Sequence, residues 1–327
     1  CKPGEQIKYI DYTSLYPDIQ KNGVYPIGHP TIITENFLNV EHYFGLIKCI
    51  VVPPRKLYIP VLPAKINGKL LFTLCYTCAL EKNPEVCKHN DFERCISGTW
   101  VTLEVQEAIK FGYQVVDIEE VWHYEKSTDD PNEGGLFTEY INKFMKLKAE
   151  ASGFPEHITD KEKYIQEYFE HEGIQLDIDN MKKNPGIRSV AKLMLNSFWG
   201  RYGMNTNKIQ YKIISDVKDW IQLITDKKNI VQSIDIVDDD LMQVYYSTSE
   251  EMIEGSFNGN VSIAAFVTCQ ARLKLFRELV KLDRRALYFD TDSIIYLSRP
   301  NQYEPVLGDF LGEFTNEIDK SEAHQTK

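Results

Sequence analysis

With 327 residues the chain has room for about two domains, and with 43% hydrophobic and 26% charged residues it has the balance of a folded chain rather than a disordered one. No apolar run reaches the ~18 to 20 residues a membrane helix needs, the runs 47–52 and 263–267 being far too short. The net charge of −11, from 37 basic and 48 acidic residues, argues against a chain that binds nucleic acid non-specifically over its whole surface.

Residues 6–10 read as a short strand, ended by Asp11 and a turn that carries Pro17. Further strands are expected over 43–52 and 69–74. The spacing of Val101, Val105, Ala108 and Ile109 predicts a helix over 99–110, and the alternation over 113–122 predicts a strand. Residues 136–151 have the pattern of a helix with Tyr140, Phe144 and Leu147 on one face and Gly153 and Pro155 beyond its end. A second, acidic helix is expected over 160–172. A third, over 186–202, follows Pro185 and has Val190, Leu193 and Phe198 apolar. Strand-like runs over 209–246 surround the turn Asp238-Asp239-Asp240; 262–281 is a predicted helix, and 286–297 reads as strand, tight turn, strand. This mixed order, without regular βαβ alternation, predicts an α+β fold. There is no repeat and no low-complexity linker. The chain begins at Cys1 without a signal-peptide pattern and is expected to be a piece of something longer.

Charge is unevenly spread. Residues 182–212 hold seven basic side chains and no acid, whereas 129–180 hold thirteen acids and five basic residues. The first stretch is a candidate polyanion site inside an acidic protein. Within it Arg188, Lys192 and Asn196 are spaced i, i+4, i+8, which places them on one helix face as a cationic rail for a polyphosphate; a solvated basic face is the plainer alternative. In Tyr288-Phe289-Asp290-Thr291-Asp292-Ser293, two carboxylates sit two residues apart at the apex of an apolar hairpin. That is costly unless a hard divalent cation with oxygen ligands neutralises them. In Asp11-Tyr12-Thr13-Ser14-Leu15-Tyr16-Pro17, an aspartate ends an apolar strand and a turn opens a helix, an arrangement that offers a carboxylate and backbone N–H groups to phosphate oxygens or, more plainly, a helix N-cap.

Taken together and in this order, DYTSLYP, KLMLNSFWG (residues 192–200) and YFDTDS resemble the first palm motif, the fingers motif and the second palm motif of the family B DNA polymerases, and most nearly those of the protein-primed subgroup of phages, linear plasmids and Polinton/Maverick transposons. Thr268-Cys269-Gln270-Ala271-Arg272 resembles that subgroup's DNA-contacting TxxAR segment, and residues 137–148 its first fingers helix. The resemblance implies a palm made of an antiparallel sheet with packed helices, over 1–135 and 206–327, and helical fingers over 136–205. It leaves a cysteine-rich insertion near 74–96 and a β-rich insertion near 209–258. The family's exonuclease domain and thumb are expected to be absent.

The implied reaction is template-directed DNA synthesis, with attack of a primer 3′-hydroxyl on the α-phosphate of a dNTP. Asp11 and Asp292 would hold two Mg2+ ions with the carbonyl of Tyr12, and Asp290 would be auxiliary. Lys148, Arg188, Lys192 and Asn196 would hold the dNTP, with Lys182 and Lys183 competing for that role. Leu15 would line the same site, and Tyr16 would exclude a 2′-hydroxyl. Ser197, Gly200, Thr268 and Arg272 would meet DNA. Primer–template DNA, dNTPs and a terminal priming protein are the implied partners, with no membrane. Localisation follows the host, which the sequence leaves unknown; an intracellular setting is expected, with nucleus and virus-infected cytoplasm both open. Trp199 stands where the family has tyrosine, and Asp18 where it has a small residue, which adds a charge near the site.

Seven cysteines without a secretory signal suit a reduced, intracellular setting. Cys75, Cys78, Cys87 and Cys95 crowd together with His89 and resemble a zinc knuckle: His89, Cys75, Cys78 and either Cys87 or Cys95 can make a tetrahedral structural zinc site, against the alternative of unliganded thiols. His42, His123, His157, His171 and His324 have no partner recognisable in the sequence and are expected on the surface or satisfied in the core. The rival functions are a catalytically silent, polymerase-derived DNA-binding protein, a reverse transcriptase or RNA polymerase (which DTDS and SLYP fit poorly), and a zinc-dependent DNA-binding module.

Overall fold

The computed structural model describes residues 4–128, 135–155, 158–253 and 259–318. Strand β1 (Gln6–Tyr12) buries Ile10 and Tyr12 and, by the two-residue period of a strand, turns Asp11 to the other side. Ser14 takes a left-handed conformation, φ 56°, and α1 (Leu15–Asn22) starts at once, with Pro17 in the first turn where its missing N–H leaves no bond unmade. Short strands β2 (Pro26–Ile27) and β3 (Thr31–Ile33) lead to β4 (Gly45–Val52), whose alternate residues Ile47, Cys49 and Val51 are buried. Next, β5 (Pro63–Ile66) and β6 (Lys69–Phe72) make a two-stranded ribbon that runs into helices α2 (Tyr76–Glu81) and α3 (Asp91–Arg94).

The helix predicted over 99–110 starts three residues late. Thr99, Trp100 and Val101 belong to β7 (Ile96–Val101), and only α4 (Thr102–Lys110) is helical. Those three are good strand formers, and pairing with β4 decides between the two periodicities. Strand β8 (Gln114–His123) takes the other side of β4, for a sheet order β3-β8-β4-β7, and β9 (Lys126–Ser127) pairs with β2. Three helices follow: α5 (Thr138–Ser152), α6 (Lys161–Glu172), capped by the Asp160 side chain, and α7 (Pro185–Tyr202). On α5 Ile141 and Met145, one position round from the expected stripe, are buried along with Glu150 and Ala151 near its end, while Tyr140 stacks on Phe198 with centroids 3.9 Å apart. On α7 Ala191 and Leu195 are buried, and Val190 and Leu193, expected to be the apolar face, are exposed.

Residues Gly200–Val261 form a compact unit of their own. It holds β10 (Gln210–Ile214), α8 (Val217–Thr225), β11 (Asn229–Asp238) and β12 (Leu241–Thr248) in the sheet order β10-β12-β11, with Ile214, Leu223 and Val244 as its core. Helix α8 reads as strand in the sequence because Val217, Ile221, Ile224 and Thr225 are β-branched; its start is fixed by the Asp216 side chain, which accepts from the Lys218 N–H.

The remaining elements belong to the larger unit, Cys1–Trp199 with Ser262–Lys327. Helix α9 (Val261–Leu282) is buried along most of its length, then come β13 (Ala286–Asp290), β14 (Ser293–Ser298) and β15 (Phe314–Asn316). They join β1 in an antiparallel sheet of order β13-β14-β1-β15. The fold is α+β. Among the described residues no helix is long and apolar enough to cross a membrane, and no cysteine is in a disulfide.

Candidate active site

The sheet register builds the acidic end of the site. Asp11 of β1 pairs with Ser293 of β14, and the Tyr12 N–H donates to the carbonyl of Asp292 at 2.8 Å. The β13–β14 turn is tight: Thr291 has φ 49°, and the Asp292 N–H donates to the Asp290 carbonyl at 2.5 Å. A β-branched residue in the left-handed region is strained, and such strain persists only where surrounding structure holds it. On the other edge of β1, β15 pairs Thr315 with Asp11, and Glu317 follows, its carboxylate accepting from the Thr315 hydroxyl at 3.0 Å.

A cavity of about 640 Å3 opens here, lined by Asp11, Asp292 and Glu317 at its acidic end and by Lys148, Arg188 and Lys192 among its basic residues. Burial, then the neighbouring Asp292 and Glu317, push the Asp11 carboxyl up to about 6. Burial and Asp290 raise Asp292 as well. Crowded carboxylates that resist ionisation are the oxygen donor set a hard divalent cation relieves, so the residues present fit one. The cations repel in turn: burial first, then Arg188 and Lys192, lower Lys148. Lys148 Nζ donates to the Ser14 hydroxyl at 3.3 Å, and Arg188 Nε to the Ser152 hydroxyl at 3.1 Å. Both α5 and α7 therefore present fixed positive charge to one space, and a polyphosphate is the anion that answers it.

Leu15, Tyr16, Asn196 and Trp199 also line this cavity; Lys182 and Lys183 are not among its lining residues. Tyr16 and Trp199 are stacked, so the tryptophan's ring has a definite partner. Tyr12 also lines the cavity, and its ring lies against Phe314 (3.8 Å) with Lys274 Nζ 5.2 Å from its centroid. Asp18 does not line the cavity: it is buried and paired with Lys274 at 2.6 Å, and it accepts from Asn22 at 2.8 Å. Its added charge is neutralised away from the acidic end. Gly312 lies against this pair with φ +75°, and a Cβ there would meet Asp18 and Lys274.

Asp290, Thr268 and Arg272 line a second cavity, of about 360 Å3, which shares Tyr16 with the first. Arg272 donates from Nε (2.8 Å) and Nη2 (2.6 Å) to Glu104, a carboxyl that burial pushes up and Arg272 opposes. Ser197 donates to the Leu193 carbonyl within its own helix and lines neither cavity; Gly200 is exposed, with open space where a Cβ would be.

In the cysteine cluster the ligand atoms of Cys75, Cys78, Cys87 and His89 all lie within 4.8 Å of one another. His89 Nδ1 is 3.5, 3.2 and 3.7 Å from the three sulfurs. A tetrahedral site with the usual zinc–sulfur and zinc–nitrogen bonds needs about 3.6 Å between sulfur and nitrogen. Cys95 stands outside, its thiol donating to the Asp91 carbonyl at 3.2 Å, so Cys87 completes the set. The cluster is a Cys3His arrangement compatible with a structural metal. Of the remaining histidines, His123 Nδ1 accepts from the Phe44 N–H and His171 stacks on Phe310; His157 and His324 lie outside the described residues.

Sequence reasoning missed Glu317, Thr315 and Ser14; the aromatic stacking surface expected of Trp199 is present, with Tyr16 as its partner. Glu317 comes 25 residues after Asp292 in a stretch without strong periodicity, and only the pairing of β15 with β1 brings it in.

Over residues 2–277 the chain matches the family of type B DNA polymerases described as organellar and viral. Two curated relatives, each called a probable DNA polymerase, come from Podospora anserina (24% identical over 96% of this chain and 23% of the relative) and Neurospora intermedia (22% identical over 89% and 25%). The chain thus spans about a quarter of the length of these relatives. Among solved structures the fold is similar to phi29 DNA polymerase complexed with single-stranded DNA (TM-score 0.56, 17% identity, 96% of this chain and 42% of that one). It is also similar to the same enzyme with primer-template DNA and incoming nucleotide substrates (TM-score 0.55, 17% identity, 96% and 43%). The motif strand, the carboxylate hairpin and the cationic helices described above are thus carried on a fold of that kind, and the chain belongs to the organellar and viral type B DNA polymerases.

Proposed function

We propose that this chain is the palm and fingers of a template-directed DNA polymerase of the protein-primed subgroup, joining a dNTP to a primer 3′-hydroxyl. The observation that carries the reading is one cavity with Asp11 and Asp292 among its carboxylates and Lys148, Arg188 and Lys192 among its cations. In this reading the palm is 1–135 and 206–327, the fingers are 136–205, and the insertions near 74–96 and 209–258 belong to the palm. Two Mg2+ ions held by Asp11 and Asp292, with the Tyr12 carbonyl, would activate the attacking hydroxyl and stabilise the leaving pyrophosphate.

The chain's own residues do the rest. Lys148, Arg188 and Lys192 hold the triphosphate in line for attack, so that little beyond positioning and charge stabilisation is asked of them. Asn196 supports the nucleotide from the same helix as Lys192, and Leu15 and Tyr16 lie under its sugar. Asp290 is auxiliary, facing the neighbouring cavity, and Glu317 adds negative charge to the metal end. Ser197, Gly200, Thr268 and Arg272 meet DNA. Cys75, Cys78, Cys87 and His89 would hold a structural zinc ion that staples their loop. Primer–template DNA, dNTPs and a terminal priming protein are the partners.

The test is extension of a primed template with Mg2+ and dNTPs. Extension that disappears in Asp292→Asn and does not occur with ribonucleotides is expected. Binding of primed DNA without Mg2+-dependent incorporation would overturn the enzyme reading and favour a catalytically silent DNA-binding protein.

A further inference from the structure

The 360 Å3 cavity has a wall to which the reaction above gives no task. Its lining brings together Thr268 and Arg272 of α9, Asp290 of the carboxylate turn, and Leu70 and Phe72 of β6. All four residues of β6 are exposed, Leu70 by 60% and Phe72 by 40%, and among the described residues the strand pairs only with β5. Being two apart, Leu70 and Phe72 share a face of the ribbon. An apolar pair on a two-stranded ribbon does little for stability, so its exposure beside Asp290 asks for another cause.

The ribbon is instead held at both ends. Before it, the Tyr58 hydroxyl donates to the Ala286 carbonyl of β13 (3.1 Å), the Val61 N–H donates to the Tyr113 hydroxyl (3.2 Å), and Trp100 Nε1 donates to the Pro63 carbonyl (2.8 Å). After it, the chain enters the Cys3His centre at Cys75, and buried Arg94 donates to the carbonyls of Leu74 (3.2 Å) and Pro53 (2.6 Å). These anchors fix where β6 stands without packing its side chains.

We infer that this cavity takes the sugar and base of the 3′-terminal nucleotide of a DNA strand, with Leu70 and Phe72 as the apolar platform and the Cys3His centre as the anchor that sets the platform's place. The inference rests on the polymerase reading. In-line displacement puts the attacking and leaving oxygens on opposite sides of the phosphorus. The three cations fix the leaving side in the first cavity, so the attacking strand comes from the other. The second cavity is on hand: it shares the Tyr16 ring and contains the Asp290–Thr291 turn. Its walls have the right chemistry. Aromatic and aliphatic faces accept any base, and Thr268 and Arg272 at the rim reach phosphate. Arg272 is steadied by Glu104 while its side chain stays 31% exposed.

The experiment is a fluorescence-anisotropy titration, in Mg2+ without nucleotide, of a labelled primer–template and of the unprimed template with the wild-type chain and the double variant Leu70→Ala, Phe72→Ala. Both positions are exposed, so the fold is expected to survive. Primed DNA should bind about tenfold more weakly to the variant, unprimed template equally, and the KM for dNTP should not move. Equal affinity of variant and wild type for primed DNA, or an equal loss on both DNAs, overturns the inference. Cys78→Ser, with its metal content measured, should reproduce the selective loss; a variant that lacks the metal yet keeps full primed affinity removes the anchor. Mg2+-dependent incorporation by the wild type decides the polymerase reading separately, since it can persist while the variant's affinity is unchanged.

Discussion

Tyr16 and Trp199 lie ring on ring, centroids 4.4 Å apart with 16° between their planes. One comes from the first turn of α1 and the other from near the end of α7, so the stack ties the acidic motif to the cationic helix. An aromatic pair of this kind is worth about 0.5–1.5 kcal/mol. If Tyr16 is the surface that excludes a 2′-hydroxyl, its discrimination depends on the ring being held. Tyr16→Ala should remove most of the preference for dNTP over rNTP, Trp199→Ala up to about tenfold of it, and Trp199→Tyr little. The ratio of kcat/KM for the two nucleotides is the readout; a Trp199→Ala enzyme with an unchanged ratio would detach the stack from sugar selection.

The crowded carboxylates lead to a separable pair of effects. Because burial, Asp292 and Glu317 hold the Asp11 carboxyl up at about 6, its ionised form is disfavoured in the folded chain without metal. Asp11→Asn should therefore leave the melting temperature in chelator unchanged or slightly raised, while abolishing extension by about a thousandfold or more. Mg2+ should raise the wild-type melting temperature and not that of Asp11→Asn. A variant destabilised in chelator would mean that Asp11 is a structural carboxylate.

What was legible in the sequence followed from periodicity and local chemistry. The Asp290–Asp292 turn, the rail of Arg188, Lys192 and Asn196, and the long α9 were all readable from apolar spacing and flanking residues. Glu317 was not, because its place depends on β15 pairing with β1 and no local pattern encodes that partner. The start of α4 was misread for a related reason: Thr99 to Val101 suit either period until β4 pairs with them. Asp18 reads in the sequence as an uncompensated charge near the site because its counter-ion, Lys274, lies 256 residues away along the chain.

The cysteine cluster divides the four clustered thiols sharply. Cys75, Cys78 and Cys87 face His89, whereas Cys95 hydrogen-bonds to the Asp91 carbonyl. One equivalent of zinc per chain is expected by mass spectrometry, lost in Cys78→Ser or Cys87→Ser and kept in Cys95→Ser. Because the ligands are thiolates and a neutral imidazole, chelator treatment should lower thermal stability, and by less as the pH falls, because protons competing for the sulfurs already weaken the metal's hold. Retention of a full equivalent by Cys87→Ser would transfer the fourth position to another donor.

Glu304, which does not line the candidate active-site cavity, provides an acid-side stability test. Its carboxylate accepts from Lys8 (2.8 Å) and Tyr296 (2.7 Å), which are cross-strand partners in β1 and β14. Partial burial works against ionisation, yet the donors, Lys8 and Tyr296 foremost, hold the carboxyl below its usual range. A lowered value means that the folded state favours the ionised form. The stabilisation is then fully present above the ordinary carboxylate range and disappears as the pH falls through the folded value. Lys8 and Glu304 side chains are each a third exposed, so the effect should be about 1 kcal/mol or less. Thermal melts of wild type and Glu304→Gln should differ near pH 7 and converge as the pH is taken below the folded value, whereas a gap of constant size across that interval would show that the residue contributes through shape and hydrogen bonding rather than through its charge.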